Sequence, residues 1–365
     1  MRITCQKEDL LQAMNTVQRA MPSKSPLPAL EGVYIQANDN QLRLVCSDLV
    51  LCIESSLPAM VSDAGEIVLP GKLFSELVRK LPEGTVTIEI HDLKANISCG
   101  QAKMTLQGMD AADYPEMPAM NQARPLEIKQ GDLKSMIQKT SFAVAQDETK
   151  PILMGELMEI ETDHVTLVAL DGYRLAMCTQ ALEKENSAPV RFVVPGKSLA
   201  EIAKLFEDSE ANASISFSDT QAVVDMGSTK ITTRLLEGEY INYRQILPAD
   251  RKTRVRVRTA DLYDAVERAS LMAREGRNNL IRLEVGESKL SITANSELGN
   301  AFEEIPVYTE GNALHIAFNA RYLSDVLRVV KEEEILMDFI SNLSPCVIHP
   351  VEGDAYLYLV LPVRV

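Results

Sequence analysis

The stretch VLPGKLFSELVRKL at 68–81 returns as VVPGKSLAEIAKLF at 193–206 and again as IAFNARYLSDVLRVV at 316–330. Each copy reads as a short apolar strand, a turn and an amphipathic helix. The apolar stripe falls at helical spacing: Leu73, Phe74, Leu77 and Leu81 in the first copy, and Leu199, Ile202, Ala203 and Phe206 in the second. In the third copy it is Tyr322, Leu323, Val326, Leu327 and Val330. A second unit recurs in step with the first: ITCQKEDLLQAMNTVQRA at 3–20, EIKQGDLKSMIQKTSFA at 127–143 and RVRTADLYDAVERASLM at 256–272. Each passes from a strand into a helix holding an Asp-Leu pair, and Asp9, Asp132 and Asp261 suit the exposed N–H groups of a first helical turn.

The period is about 125 residues, far above the ~20–50 residues of solenoid repeats. The repeated object is therefore a whole domain. Alternating strands such as QLRLVCSDLVLCIESS and HVTLVALDGYRLAMCTQ lie between the two helices of each copy, and more strands follow the second helix. The expected class is α+β: three similar domains, each with two helices packed on antiparallel sheet. Cuts in the Pro-bearing stretches PEMPAMNQARP and LPADRKTR give domains at 1–121, 122–249 and 250–365. Helices are expected at 7–19, 71–80, 131–141, 196–206, 260–277 and 319–331.

Composition narrows the function. No apolar run reaches the ~18–20 residues needed to cross a bilayer, and the N-terminus MRITCQKEDLLQAM lacks an apolar signal core. A cytoplasmic protein without a membrane partner is expected. The six cysteines form no C-x-x-C pair and sit in apolar alternating stretches, so buried reduced thiols are expected. His91, His164, His315 and His349 are scattered, and no phosphate-binding or nucleophile motif is present. Asp171-Gly172 is a turn signal first. No catalytic residue, metal or cofactor is expected.

The net charge of −15 argues against a nucleic-acid partner when taken alone. The helices qualify that argument. Lys72, Glu76 and Arg79 repeat as Lys197, Glu201 and Lys204, and as Arg321, Asp325 and Arg328. The i, i+4, i+7 spacing puts each trio on one helical face, opposite the apolar stripe. The expected helices sum to a mildly basic charge, and the rest of the chain is strongly acidic. Two readings stand open. One is a solvated face held by weak i,i+4 ion pairs; the other is a sparse cationic lining that holds DNA loosely and lets it slide. No base-reading helix or base-stacking aromatic platform is evident. A peptide-binding scaffold without DNA, or a hydrolase, are the rival classes.

With PLPAL at 26–30, LPGKLFSELVRKLPEG at 69–84, MDAADYPEM at 109–117, LDGYRLAM at 170–177, NYRQILP at 242–248 and LVLPVRV at 359–365, the whole chain resembles the bacterial sliding clamps, the beta subunits of DNA polymerase III. The resemblance implies a DNA-clamp fold and a head-to-tail homodimer that encircles double-stranded DNA without sequence preference. It also implies a pocket for short peptide motifs of the polymerase III catalytic subunit, the clamp loader, and other polymerases and repair proteins. The matching pocket positions are Leu153, Leu170, Gly172, Tyr173, Arg174, Leu175, Ile241, Gln245, Ile246, Val360, Leu361, Pro362, Val363 and Arg364. An apolar groove with Arg at its rim would suit such peptides. Tyr173 stands where the family often has His, Ile241 where it has Pro, and Gln245 where it has Arg; Pro151 and Ile152 replace a tyrosine pair. The resemblance assigns DNA contacts to Lys24, Lys72 and Lys197, and the helix faces add Arg79, Lys139, Lys204 and Arg328. For the subunit interface it points to Met104, Leu106, Leu271 and Met272, with Glu297, Glu303 and Glu304 as the acidic side.

Overall fold

The computed structural model describes residues 1–115, 125–184, 186 and 189–364. The expected cut at 121/122 lies outside the described residues. Six helices occur among them: α1 (Lys7–Val17), α2 (Gly71–Lys80), α3 (Gln130–Thr140), α4 (Gly196–Leu205), α5 (Thr259–Arg274) and α6 (Ala320–Val329). All six expected helices are present within a few residues of their expected bounds. The largest difference is at the end of α5, which stops at Arg274. Gly276 follows, and its N–H bonds the Ala273 carbonyl at 3.1 Å, closing the helix.

The chain forms two compact units, 1–131 with 201–235 and 132–200 with 236–365. The first unit holds two antiparallel sheets. One runs Met60–Asp63, Arg2–Gln6, Thr85–His91, Lys94–Cys99, Ala102–Gln107. The other has eight strands in the order Leu126–Lys129, Asn212–Phe217, Gln221–Asp225, Thr229–Arg234, Leu51–Pro58, Gln41–Ser47, Gly32–Asn38, Gly65–Pro70. The pairing of Thr229–Arg234 with Leu51–Pro58, Ile231 opposite Ile53, joins the central repeat to the first in one sheet. α1 and α2 pack on each other in this unit.

The second unit is built alike. Its nine-stranded sheet runs Val190–Pro195, Gly155–Ile160, His164–Leu170, Arg174–Ala181, Tyr356–Val360, Cys346–Pro350, Glu334–Phe339, Thr253–Arg258, Tyr308–Gly311. Again the last strand of a repeat pairs with the repeat before it: Ala176 faces Tyr358. A four-stranded sheet, Gly299–Pro306, Lys289–Ser296, Leu280–Val285, Leu314–Asn319, lies beneath α5 and α6.

The helix stripes bury as the spacing predicts, with one exception. Phe74, Leu77, Val78 and Leu81 on α2 and its end, Leu199, Ile202 and Ala203 on α4, and Leu323, Val326 and Leu327 on α6 are all buried. Leu73, expected in the stripe, is 53% exposed. It precedes Phe74, where the i, i+3, i+4, i+7 stripe begins, and so falls outside the packed face. Its α6 counterpart Tyr322 is half-buried. The six cysteines are all free and buried. Burial pushes the thiols of Cys5 and Cys52 up to about 12 and that of Cys178 up to about 11.

Gly155–Ile160 is buried at every position, both faces included. Within it sits Glu156, wholly buried, with Oε2 bonded by the Thr140 hydroxyl and Oε1 without a partner among the described residues. Burial pushes this carboxyl from 4.5 up to about 8, against the hydroxyls of Thr140 and Ser141, which favour the anion. The folded protein then holds a proton that the unfolded chain gives up. Stability should fall as pH rises from about 4.5 to about 8 and level off above. Glu156→Gln should remove this dependence and gain on the parent by a few kcal/mol at pH 9. Urea melts at pH 5, 7 and 9 check it; an equal offset at all three would contradict it.

Candidate functional site

In the second unit the hairpin turn between His164–Leu170 and Arg174–Ala181 organises the expected pocket residues. Asp171 Oδ1 accepts the N–H groups of Tyr173 (2.9 Å) and Arg174 (3.0 Å). Gly172 has φ +93°, a conformation that favours glycine. The turn leaves the Tyr173 ring 60% exposed and sends the Arg174 side chain inward.

Of the two pocket arginines, Arg174 is not at the rim: it is 8% exposed and spends its donors inside the protein. Nε bonds Asp171 Oδ2 (3.1 Å), Nη1 bonds Asp325 Oδ2 (2.6 Å), and Nη2 bonds the Phe142 carbonyl (2.6 Å). Its guanidinium carbon lies 5.3 Å from the Phe142 ring centre and 4.7 Å from that of Tyr322. A planar fork with five donors can satisfy three directions at once. Tyr173 stacks on Tyr322 from outside, with centroids 5.9 Å apart and planes at 22°. Arg364, near the chain end, is exposed.

Beneath the turn lies an apolar floor. Leu153, Leu170 and Leu175 are buried in one cluster with Val168, Tyr240, Tyr243 and Leu359, and Leu361 packs at its edge. The segment 240–247 is stitched to this floor: Tyr240 donates to the Val168 carbonyl (3.3 Å), Tyr243 to Glu159 (2.7 Å), and Arg244 makes two bonds to Glu159 (3.1 and 2.7 Å). Those bonds hold the Glu159 carboxyl below its usual range against the cost of burial. Ile241, Gln245 and Ile246 stay exposed on this stitched segment. The chain end is held as an extended strip: Leu361 N–H donates to the Tyr173 carbonyl and Val363 N–H to the Ala317 carbonyl, both 2.8 Å. Pro362 and Val363 are half-buried, whereas Val360 is fully buried in the larger core of α5, α6 and both sheets.

The structure thus gathers the turn, the floor, the stitched segment and the tail in one unit. An apolar base with an exposed aromatic ring and free aliphatic side chains can take hydrophobic anchors of an extended peptide. The sequence missed Tyr322, Phe142 and Glu159. Tyr322 falls on the helix stripe, and its spacing alone points to core.

On the helix faces, Lys72 and Arg79 on α2, Lys197 and Lys204 on α4, and Arg321 and Arg328 on α6 are all exposed. Their central acids differ. Glu201 takes Lys204 (2.5 Å). Asp325, 13% exposed, is drawn inward to Arg174 and lies 3.8 Å from Arg321 and 3.5 Å from Arg328. Lys24 is exposed beyond α1. Lys139 is half-buried, with Nζ 5.4 Å from the Tyr356 ring centre.

The residues read as interface lie at sheet edges and helix ends. Met104 and Leu106 belong to the edge strand Ala102–Gln107; Leu106 is buried and Met104 half-buried. Leu271 is exposed and Met272 half-buried near the end of α5. Glu303 and Glu304 sit on the edge strand Gly299–Pro306, where Arg268 (2.7 Å) and Lys289 (2.8 Å) of the same chain answer them. Glu297 is exposed in the adjoining turn. Among the described residues no group of three or more His, Cys, Asp or Glu could hold a metal ion. No helix among them is long and apolar enough to cross a membrane.

Replacing Arg174 by alanine leaves Asp325 and Asp171 without their buried partner. The loss should be about 3–5 kcal/mol, read as a lower midpoint in chemical denaturation. A change within a few tenths of a kcal/mol would contradict the anchoring role.

Three family models match the chain: the N-terminal domain of the DNA polymerase III beta subunit over residues 1–118, its central domain over 127–242 and its C-terminal domain over 244–364. A beta sliding clamp of Bacillus subtilis is 34% identical over 376 residues, covering all of both chains, and one of Staphylococcus aureus is 31% identical over 375 residues. The crystal structure of the Bacillus subtilis DNA polymerase sliding clamp superposes with a TM-score of 0.98 over 100% of this chain and 99% of that one, at 34% identity. A putative DNA polymerase III beta subunit from Eubacterium rectale gives 0.97 at 33% identity, with both chains fully covered. With all three domains matched in order and full-length relatives above 30% identity, the chain belongs to the DNA polymerase III beta-subunit family, the beta sliding clamps.

Proposed function

We propose that two copies of this chain close head to tail into a ring around double-stranded DNA and tether the replicative polymerase to it. The observation that carries this reading is the threefold repeat of one module with an exposed cationic pair on the second helix of every copy, in a chain of net charge −15. Sparse cations attract phosphates without gripping them, and an acidic remainder repels DNA elsewhere. Lys24, Lys72, Arg79, Lys139, Lys197, Lys204 and Arg328 are the proposed contacts, with Lys139 the most restrained by its aromatic neighbour.

The three domains are taken as 1–121, 122–249 and 250–365. The floor and turn around Leu170–Leu175, with Ile241, Gln245, Ile246 and the tail from Val360 to Arg364, form the proposed pocket for short peptides. Its partners are the polymerase III catalytic subunit, the clamp loader, and other polymerases and repair proteins. Tyr173, Ile241 and Gln245 set its preference apart from that of relatives with His, Pro and Arg. The edge strand Ala102–Gln107 of one copy faces Gly299–Pro306 of the other, with Met104, Leu106, Leu271, Met272, Glu297, Glu303 and Glu304 near the join. Processivity is the contribution of this subunit, and polymer chemistry belongs to the enzymes it tethers. The location is the cytoplasm.

Loading onto a nicked circular plasmid tests the ring. Protein should co-elute with closed circles and leave when the circle is cut; equal release from both would contradict encirclement. The triple variant Lys72→Glu, Lys197→Glu, Arg328→Glu should shorten retention while remaining dimeric by solution mass, and unchanged retention would refute the cationic-face assignment. Removing Leu361–Val365 deletes the tail after the last core residue, Val360. It should abolish polymerase tethering with the ring intact, and normal tethering would disprove the pocket.

A further inference from the structure

One trio of residues recurs in every repeat, set side by side on one face of three neighbouring strands. It is Tyr34, Val45 and Val68 in the first repeat and Leu157, Val168 and Val193 in the second. In the third it is Arg282, Thr293 and Ala317. The chain crosses each trio in the same way. Met109 N–H donates to the Val68 carbonyl (2.9 Å), Leu236 N–H to that of Val193 (2.9 Å) and Val363 N–H to that of Ala317 (2.8 Å).

In the first two repeats a stretch of polypeptide lies over the trio and fills its face. The Tyr114 ring sits 5.6 Å from the Tyr34 ring. Tyr240 packs in one cluster with Leu157, Val168 and Val193 and donates to the Val168 carbonyl (3.3 Å). The third trio has a different chemistry. An exposed Arg282 stands at the place of Tyr34 and Leu157, and Thr293 at that of a valine. The face opens as a cavity of about 300 Å³ whose lining includes Arg282, Glu284, Thr293, His315, Leu343 and Arg364. Two arginines there meet one carboxylate, and neither arginine has an ion pair or side-chain hydrogen bond among the described residues. Arg254 and Arg256, in the neighbouring sheet, are each paired with a carboxylate of their own chain. Leu343 stands 64% exposed beside the cavity.

We propose that this cavity takes an acidic segment of the same partner peptide whose apolar anchors occupy the pocket described above, with its carboxylates on Arg282 and Arg364. The first two repeats show what this face accommodates, a stretch of polypeptide. The change from Tyr34 and Leu157 to Arg282 sets the charge of that stretch, because an unpaired guanidinium offers a fork of donors suited to a carboxylate. Val363 and Arg364 belong to the tail strip of the pocket and also line the cavity. A peptide running along the tail therefore passes from one to the other. Leu343 supplies apolar contact for the stem of an acidic side chain, and the single carboxylate, Glu284, lies opposite His315 on the adjoining strand. The inference rests on the proposed peptide pocket and adds to it a second element of recognition, read by charge.

Fluorescence anisotropy on the intact protein tests it with synthetic probes. One is a short peptide carrying leucine and phenylalanine anchors. The others are the same peptide extended across a glycine spacer by a run of glutamates or of glutamines, at either end. At low salt the glutamate run at one end should tighten binding roughly tenfold over its glutamine counterpart. Arg282→Glu should remove that gain and leave the unextended peptide bound as before, and Arg282→Lys should keep most of it. Arg282 is exposed, so these variants leave the core intact. Lys252→Glu makes the same change in net charge at an exposed residue outside the cavity and should keep the gain. Equal affinity for the glutamate and glutamine probes overturns the inference, and so does a gain that survives Arg282→Glu. A gain lost equally in Lys252→Glu also overturns it, since attraction without a site would then explain the data. An unextended peptide that fails to bind the parent protein defeats the pocket itself.

Discussion

The last strand of each later repeat is completed by hydrogen bonding to the repeat before it, and most of the architecture depends on that constraint. Thr229–Arg234 lies against Leu51–Pro58 in the first unit, and Tyr356–Val360 against Arg174–Ala181 in the second. The chain then leaves the strand in the same way each time: Arg234 N–H donates to the Val50 carbonyl and Leu361 N–H to the Tyr173 carbonyl, both at 2.8 Å. Backbone pairing of this kind is directional and nearly independent of side-chain identity. It tolerates the divergence among the repeats and still fixes which end of one module meets which end of the next.

Around that backbone frame, side chains supply specificity. The turn at Asp171 is held by its own carboxylate, which sets Tyr173 outward and Arg174 inward. Arg174 ties the turn to α6 through Asp325 and to the end of α3 through the Phe142 carbonyl. The Asp171 turn and the cationic face of α6 are therefore joined through one carboxylate. Asp325 is shared between Arg174 inside and Arg321 and Arg328 on the face, and those two arginines stay mostly exposed. A local excess of positive charge arises in a strongly acidic protein without a single lysine-rich segment.

Much of this was legible in the sequence. The repeat gave the number of modules, and helical periodicity placed all six helices, because an amphipathic stripe is a local property of ten or so residues. Depth was not legible. Leu73 and Phe74 look alike as letters, yet one is 53% exposed and the other fully buried. Arg174 reads as a surface residue on composition alone, and its partner Asp325 lies 151 positions away. Glu156 was invisible for a related reason. It lies in GELMEI, where Glu156 and Glu159 fall on opposite faces of the strand and each reads as a polar, outward position, but the strand is covered on both faces. Pairing across such distances depends on tertiary packing, which no window of sequence reports.

All four sheets described above end in edge strands with one open side, Ala102–Gln107 and Gly299–Pro306 among them. Bare strand edges present rows of free N–H and C=O groups that will template any passing strand. Where two of these edges are bare only in the lone protomer, that protomer is the species most open to unwanted strand addition. Dilution, slow synthesis or excess of a damaged variant would each raise the share of singletons. Solubility of this protein is therefore a property of the assembled pair, and its useful concentration has a floor as well as a ceiling.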